Sequence, residues 1–341
     1  MARAFSLALV AAVMCLSGRH VDAGTILHTV SDTQYTLLAA QSQFAATGRH
    51  NAGAAVCSGT LISDQWVLTA AHCVDLNGDG LVDNPTGAGN SFVTSTGVTR
   101  NVTQIVVPSG WNGNLNFGFD IALMKLSAPI MGIVPASIYR GVSELAAIVT
   151  MVGIGKTGTG QTGSNLGFGT FRAGQNTVDA FGVFTGTGSI GLTTADAVNR
   201  TSLLWDFDSP VSDPQHPSTN TMTNFGIASS AVPLALEYSI APGDSGGGNY
   251  IFEGGKWWLA GVTSGDANVF NYPGALEAGN RDTYGDLNLI TRVSSYQGFI
   301  DSFVPTAVPE PGTVSLLMLG TVGFAIRRVK VSAREKKSAA I

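Results

Sequence analysis

The chain is poor in cysteine and in charge. It has three Cys in 341 residues, and Asp, Glu, Lys and Arg together make up 12%. Three Cys exclude a framework of several disulfides. Basic residues are scarce in the body of the chain: residues 24–308 hold 10 Lys and Arg against 20 Asp and Glu. Such an acidic body excludes nucleic acid as a partner, because phosphate binding needs a basic face. Only five His occur, at 20, 28, 50, 72 and 216. No uncharged apolar run reaches the ~20 residues that a membrane-crossing helix usually needs. What is abundant is Gly, at 43 residues, which with the low charge suits a β-rich exported protein. The length suffices for one large domain with extensions.

Both ends read as addresses. Arg3 precedes an apolar run over 4–16, and Val21-Asp22-Ala23 is an acceptable cleavage site, so residues 1–23 read as a signal peptide and the mature chain starts near Gly24. Cys15 lies in this segment. At the other end a Pro-rich linker at 305–311, with Val308-Pro309-Glu310-Pro311, leads into fifteen apolar residues at 312–326. Arg327-Arg328 then opens a basic tail over 327–341. Those basic residues would stay cytoplasmic.

Chemistry concentrates in three short segments. Gly243-Asp244-Ser245-Gly246-Gly247 places a Ser between glycines, on a turn that a substrate carbonyl can approach closely. Upstream, Ser58 to Leu68 reads as two strands around the polar turn Ser63-Asp64-Gln65, ending in Thr69-Ala70-Ala71-His72-Cys73. Asp120 heads the apolar run Ile121-Ala122-Leu123-Met124. An Asp entering a buried strand needs hydrogen bonds, and a His ring N–H is a suitable donor.

The chain order His72, Asp120, Ser245 is that of the chymotrypsin-like enzymes, and not that of subtilisins or α/β-hydrolases. With the three motifs it resembles a trypsin-like (chymotrypsin-fold) serine protease over residues 31–304. Gly153-Ile154-Gly155 and Leu289-Ile290-Thr291-Arg292-Val293 are weaker matches. The resemblance implies an all-β fold of two six-stranded antiparallel Greek-key barrels, the active site between them and a C-terminal helix, within a domain at 24–304. It implies that Ser245 is the nucleophile, His72 the base and Asp120 its orienting acid, with the amides of Gly243 and Ser245 as the oxyanion hole. It also implies a Cys57–Cys73 disulfide, against which stands the reading of two free thiols in a core. By offset from Ser245, Ser239 falls at the floor of the substrate pocket, without the Asp that selects Arg or Lys, and Ser264, Gly265 and Asp266 fall on its wall. An apolar or small residue before the cleaved bond is expected. Strands are expected at 43–62, 66–69, 91–107 and 119–126 in the first half. The second half is expected to begin near 146–152, with hairpins over 156–191, a surface loop at 206–224 and a closing helix at 294–303.

The C-terminal layout resembles a PEP-CTERM sorting signal, the substrate of exosortases in Gram-negative bacteria. It implies export, transient membrane insertion, cleavage by an exosortase-like enzyme and delivery to the cell surface or extracellular matrix; the alternative is a plain membrane anchor. Signal peptidase and a protein or peptide substrate are the other expected partners.

Two features depart from the protease resemblance. No Ile-Val-Gly-Gly-like start follows a basic residue between Gly24 and Cys57. Asp244 therefore lacks its expected ammonium, leaving an α-amino group near Gly24, His28, Arg49 or another Arg as candidate partners. The insertion Asp75-Leu76-Asn77-Gly78-Asp79-Gly80-Leu81-Val82-Asp83 has the oxygen spacing and sixth-place Gly of a calcium loop, with Asp75, Asn77, Asp79, the Leu81 carbonyl and Asp83 as ligands. Thr86 stands where the bidentate Glu belongs, and a polar Asn-Gly-Asp-Gly turn is the other reading. No cofactor is required by the expected chemistry. The competing functions are a non-catalytic surface or matrix binding protein on the same fold, and an esterase using the same three residues.

Overall fold

The computed structural model describes residues 24–115, 118–185, 191–193, 200–210, 220–267 and 282–304. The expected signal peptide, the linker, the 312–326 segment and the basic tail lie outside these. Among the described residues no helix is long and apolar enough to cross a membrane. The chain divides into two compact units, residues 1–297 and 298–341.

After a short strand β1 (Gly24–Ile26) and helix α1 (Asp32–Ala39), six strands close a barrel. They are β2 (Thr47–Ala52), β3 (Ala55–Leu61), β4 (Trp66–Thr69), β5 (Asn90–Thr94), β6 (Thr99–Val106) and β7 (Ala122–Leu126), in the order β2-β3-β4-β7-β6-β5. The reversal between β3 and β4 is made by Ser63, whose Oγ accepts from the amides of Gln65 (3.3 Å) and Trp66 (3.0 Å). Leu61, Val67, Phe92, Val102, Ile105, Met124 and Leu126 fill the interior.

The second half is more open. Its main sheet has seven strands in the order β11-β8-β17-β18-β19-β15-β12. These are β8 (Ile148–Gly153), β11 (Arg172–Thr177), β12 (Ala180–Phe181), β15 (Ser202–Asp206), β17 (Gly248–Glu253), β18 (Lys256–Ala267) and β19 (Leu287–Arg292). The hairpin β9 (Lys156–Thr159) and β10 (Gly163–Phe168) joins β1 and β16 (Tyr238–Ser239) in a four-stranded sheet, and β13 (Val183–Thr185) pairs with β14 (Gly191–Thr193). The six-stranded closed count expected here thus becomes a curled seven-stranded sheet with a four-stranded companion. The Gly/Thr-rich hairpins and the N-terminal strand supply the extra partners. Val149, Met151, Leu203, Trp205, Tyr238, Ile251 and Ile290 form the core. Of the expected 206–224 loop, 211–219 lie outside the described residues, whereas Thr221–Phe225 form a short 3-10 turn with Met222 buried. The expected closing helix is the 3-10 turn Val293–Tyr296 followed by α2 (Gln297–Phe303).

Four carboxyl groups, Asp179, Asp206, Asp208 and Glu237, gather within this half. Burial first, then the neighbouring negative charge, pushes Asp179 up to about 7 and Asp208 to about 10. Burial raises Glu237 to about 8 and raises Asp206 as well.

Candidate active site

Each of the three expected residues sits at the end of a strand. His72 lies in the 3-10 turn Ala71–Cys73 that follows β4. The Cys57–Cys73 disulfide is formed and ties this turn to β3. Asp120 stands two residues before β7. The preceding Phe119 has φ 60, a costly conformation for an aromatic residue. It is held there because its amide donates to Tyr296 Oη (2.6 Å) and its ring meets the Tyr296 ring edge-on. Ser245 lies on the turn between β16 and β17.

Asp120 is completely buried and acts as a hub. Its Oδ2 accepts from His72 Nδ1 at 2.8 Å and from Ser264 Oγ at 2.5 Å, and its Oδ1 accepts from the His72 amide at 2.9 Å. Its carbonyl accepts from Thr291 Oγ1 at 2.8 Å. Burial disfavours the Asp120 carboxylate, but the His72 charge and these donors outweigh it and hold its pKa below the usual value. Burial likewise opposes protonation of His72, and the Asp120 carboxylate outweighs it, with a smaller contribution from Asp75, so its pKa lies above 6.5. The imidazole is thereby fixed as an Nδ1–H tautomer with Nε2 free to accept a proton.

The nucleophile turn is clamped from the first barrel. Ser58 donates its amide to the Ser245 carbonyl (2.7 Å) and its hydroxyl to the Gly243 carbonyl (3.0 Å), while that hydroxyl accepts from the Ile154 amide (3.2 Å). Cys73 Sγ lies 3.8 Å from His72 Nε2 and 3.6 Å from the Ser245 carbonyl, so one sulfur touches both the base and the nucleophile's residue. Gly243 has φ 101, and a Cβ there would stand 2.8 Å from Gly155 Cα. Only Gly permits this turn. Among the described residues neither the Gly243 nor the Ser245 amide donates a hydrogen bond within the protein, which leaves both free to bind an anionic oxygen. No hydrogen bond joins Ser245 to His72 among the described residues. Such bonds often tighten only around substrate.

Ser239 is buried on β16, its hydroxyl donating to Asn288 Oδ1 (3.0 Å), which also accepts from the Ile240 amide (2.9 Å). Ser264, expected on the wall, donates its hydroxyl to the buried Asp120 carboxylate. Asp266, next to Gly265 on β18, is half-buried. Burial, then the Asp266 charge, raises Asp282 to about 9.

The Asp75 loop closes on itself. Asp75 accepts from the amides of Gly78 (2.9 Å), Asp79 (3.2 Å) and Gly80 (2.9 Å) and from Trp111 Nε1 (2.8 Å). Asp79 Oδ1 accepts from the Leu81 amide (2.9 Å), and Asp83 accepts from Leu76 N (2.7 Å) and Asn77 Nδ2 (3.1 Å). Asp75, Asp79 and Asp83 do not bring three carboxylate oxygens together around one point. The side-chain oxygens thus accept N–H groups of the loop itself, which makes a self-capped turn.

Comparison with known proteins agrees with this geometry. A family model described as Trypsin matches residues 33–181, and one described as PEP-CTERM protein-sorting motif matches residues 307–329. Residues 33–181 are thus similar to the trypsin family, and residues 307–329 to a C-terminal sorting motif. Brachyurin from Leptuca pugilator is 35% identical over 105 residues, which are 30% of this chain and 39% of the relative, so the match spans about two fifths of that protein's length. The Trypsin match contains His72 and Asp120 and ends before Ser245. The placement of Ser245 rests on the geometry above.

Proposed function

We propose that this chain is a serine endopeptidase that hydrolyses peptide bonds through an acyl-enzyme. The observation that carries the reading is the continuous line Ser264–Asp120–His72, ending against the Cys73 sulfur that also touches Ser245. In the proposed reaction Ser245 Oγ attacks the scissile carbonyl carbon while its proton passes to His72 Nε2. The amides of Gly243 and Ser245 hold the resulting oxyanion. The leaving amine departs with the proton from His72, and the ester left on Ser245 is cleaved by a water that His72 activates in turn. Asp120 stabilises the imidazolium in both halves. Ser239, expected at the floor of the pocket, is uncharged and bonds the neutral Asn288, which supports an uncharged side chain before the cleaved bond. No metal enters these steps.

The sorting motif indicates export and sorting to the bacterial cell surface. We place the protein in a Gram-negative cell, with a signal peptidase removing residues 1–23 and an exosortase-like enzyme acting after transient insertion of 312–326. A fluorophosphonate probe tests the catalytic reading. The wild-type chain is expected to be labelled and Ser245→Ala is not; equal labelling of both, or none of either, would leave the non-catalytic binding role. A peptide library then separates endopeptidase from esterase.

A further inference from the structure

Asp244, the residue before the nucleophile, is buried, and its carboxylate oxygens accept three hydrogen bonds, all from neutral donors: the Gly155 amide (2.8 Å), the Ala241 amide (3.0 Å) and Tyr238 Oη (3.1 Å). No cation is in salt-bridge contact with it among the described residues. Of the candidates considered from the sequence, His28 Nδ1 meets Tyr284 Oη at 2.8 Å, and Arg172 pairs with Asp32 and acts on Asp244 through space.

Tyr238 is in turn fixed by the N-terminal strand. β1 lies between β9 and β16, with Ile26 opposite Tyr238 and Thr25 opposite Ser239. Gly24 sits directly on the phenol: a Cβ there would fall 1.8 Å from Tyr238 Cζ and 1.9 Å from its Oη. Removal of residues 1–23 would make the nitrogen of Gly24 an α-amino group beside the Tyr238 phenol, but the three hydrogen bonds to Asp244 come from Gly155, Ala241 and Tyr238 and none from Gly24. Burial, then the Asp244 charge, drives the Tyr238 pKa well above 10, which keeps its hydroxyl a donor. Burial raises Asp244 to about 6 despite its donors. The titratable groups around it are Tyr238 on β16 and Arg172 on β11, with Asp32 on Arg172 and Tyr35 beside the Tyr238 ring.

We propose that Tyr238 is the positioning residue of the nucleophile turn: its hydroxyl holds Asp244, so the turn that offers the Gly243 and Ser245 amides is set without a free amine at Gly24. This rests on the protease reading for its consequence in catalysis, but not for the contact itself. The claim is therefore tested in two backgrounds.

In the inactive Ser245→Ala chain, Tyr238→Phe and Asp244→Asn are combined in a double-mutant cycle by thermal unfolding at pH 8, where Asp244 is ionised. Phe at 238 is expected to lower Tm clearly with Asp at 244 and much less with Asn. An equal loss in both overturns the contact. In the active chain, a form with Gly24 blocked by a retained Met-Ala extension and a form with free Gly24 are expected to react with a fluorophosphonate at rates within about twofold. Tyr238→Phe reacts about tenfold slower or worse, and its acid limb moves to higher pH. A blocked chain at least about a hundredfold slower, restored by a cut before Gly24, overturns the proposal. So does Tyr238→Phe with the wild-type rate and pH profile. Should Phe at 238 prevent folding, Gly24→Ala, which displaces the phenol without removing it, is read by the same rates. A wild-type chain that never labels refutes the protease reading, while the cycle in the Ser245→Ala chain still decides the contact.

Discussion

At the scale of single residues, Asp120 has the largest consequences. It alone joins His72, Ser264 and, through its carbonyl, Thr291. Asp120→Asn would keep the shape and lose the charge, and kcat is expected to fall on the order of 10⁴-fold. The pH dependence follows from the same pair. His72 is a base only when neutral, and its pKa lies above 6.5 because of Asp120. The rate is therefore expected to rise with pH on an acid limb above 6.5, and removal of the Asp120 charge should move that limb down, as kcat/KM measured from pH 5 to 9 would show. His72, Asp120 and Ser245 were legible in the sequence because each lies inside a short contiguous motif. Ser58 acts on the nucleophile turn from a distant strand and Tyr238 acts on it through Asp244, and no local pattern marks either; Ser264 was expected on the pocket wall and not as a partner of Asp120. Asp244 was legible as a buried charge needing a partner, but its partner is a neutral phenol six residues away, where only a cation was sought.

At the scale of elements, the Asp75 loop and the disulfide flank the same His turn. Asp75 takes up three backbone amides and the buried Trp111 indole, so Asp75→Ala is expected to cost about 2–3 kcal/mol of stability. A chelator is expected to leave Tm unchanged, because N–H groups already meet these oxygens; a clear fall in Tm would support the calcium reading. The loop's spacing was correctly seen as special, but spacing alone does not say whether an oxygen faces an ion or an amide. Replacing both Cys57 and Cys73 by Ala opens a link between residues sixteen apart and is expected to cost roughly 3 kcal/mol in urea unfolding. The expected strand segments of the first barrel hold its strands to within a residue, with two strands each in 43–62 and 91–107. The second half was not so legible, because β1 is only three residues long and its strand character comes from β9 and β16, more than a hundred residues downstream.

At the scale of the whole molecule, buried acid dominates the response to pH. Asp179, Asp208, Glu237 and Asp282 have folded pKa values of about 7, 10, 8 and 9, all above those of an unfolded chain. A raised carboxyl pKa gives stability that is fully present below pH 4 and lost as pH rises through the folded value. The Ser245→Ala chain, free of self-cleavage, is accordingly expected to melt several degrees lower at pH 9 than at pH 5, by about 5 °C or more. Stability that rises over that range would show that these groups ionise freely or hold a cation.

The threading of β1 has a temporal meaning too. A chain is made, and exported, from its N-terminus, yet Gly24 and Ile26 close their strand only against Thr157, Thr159 and Tyr238. The first residues to emerge are thus among the last to find their place, and loop closure over so long a separation is slow. Until residue 238 is out, nothing secures the phenol that holds the nucleophile turn. On the protease reading, the order of emergence itself would keep the chain harmless to the machinery that delivers it.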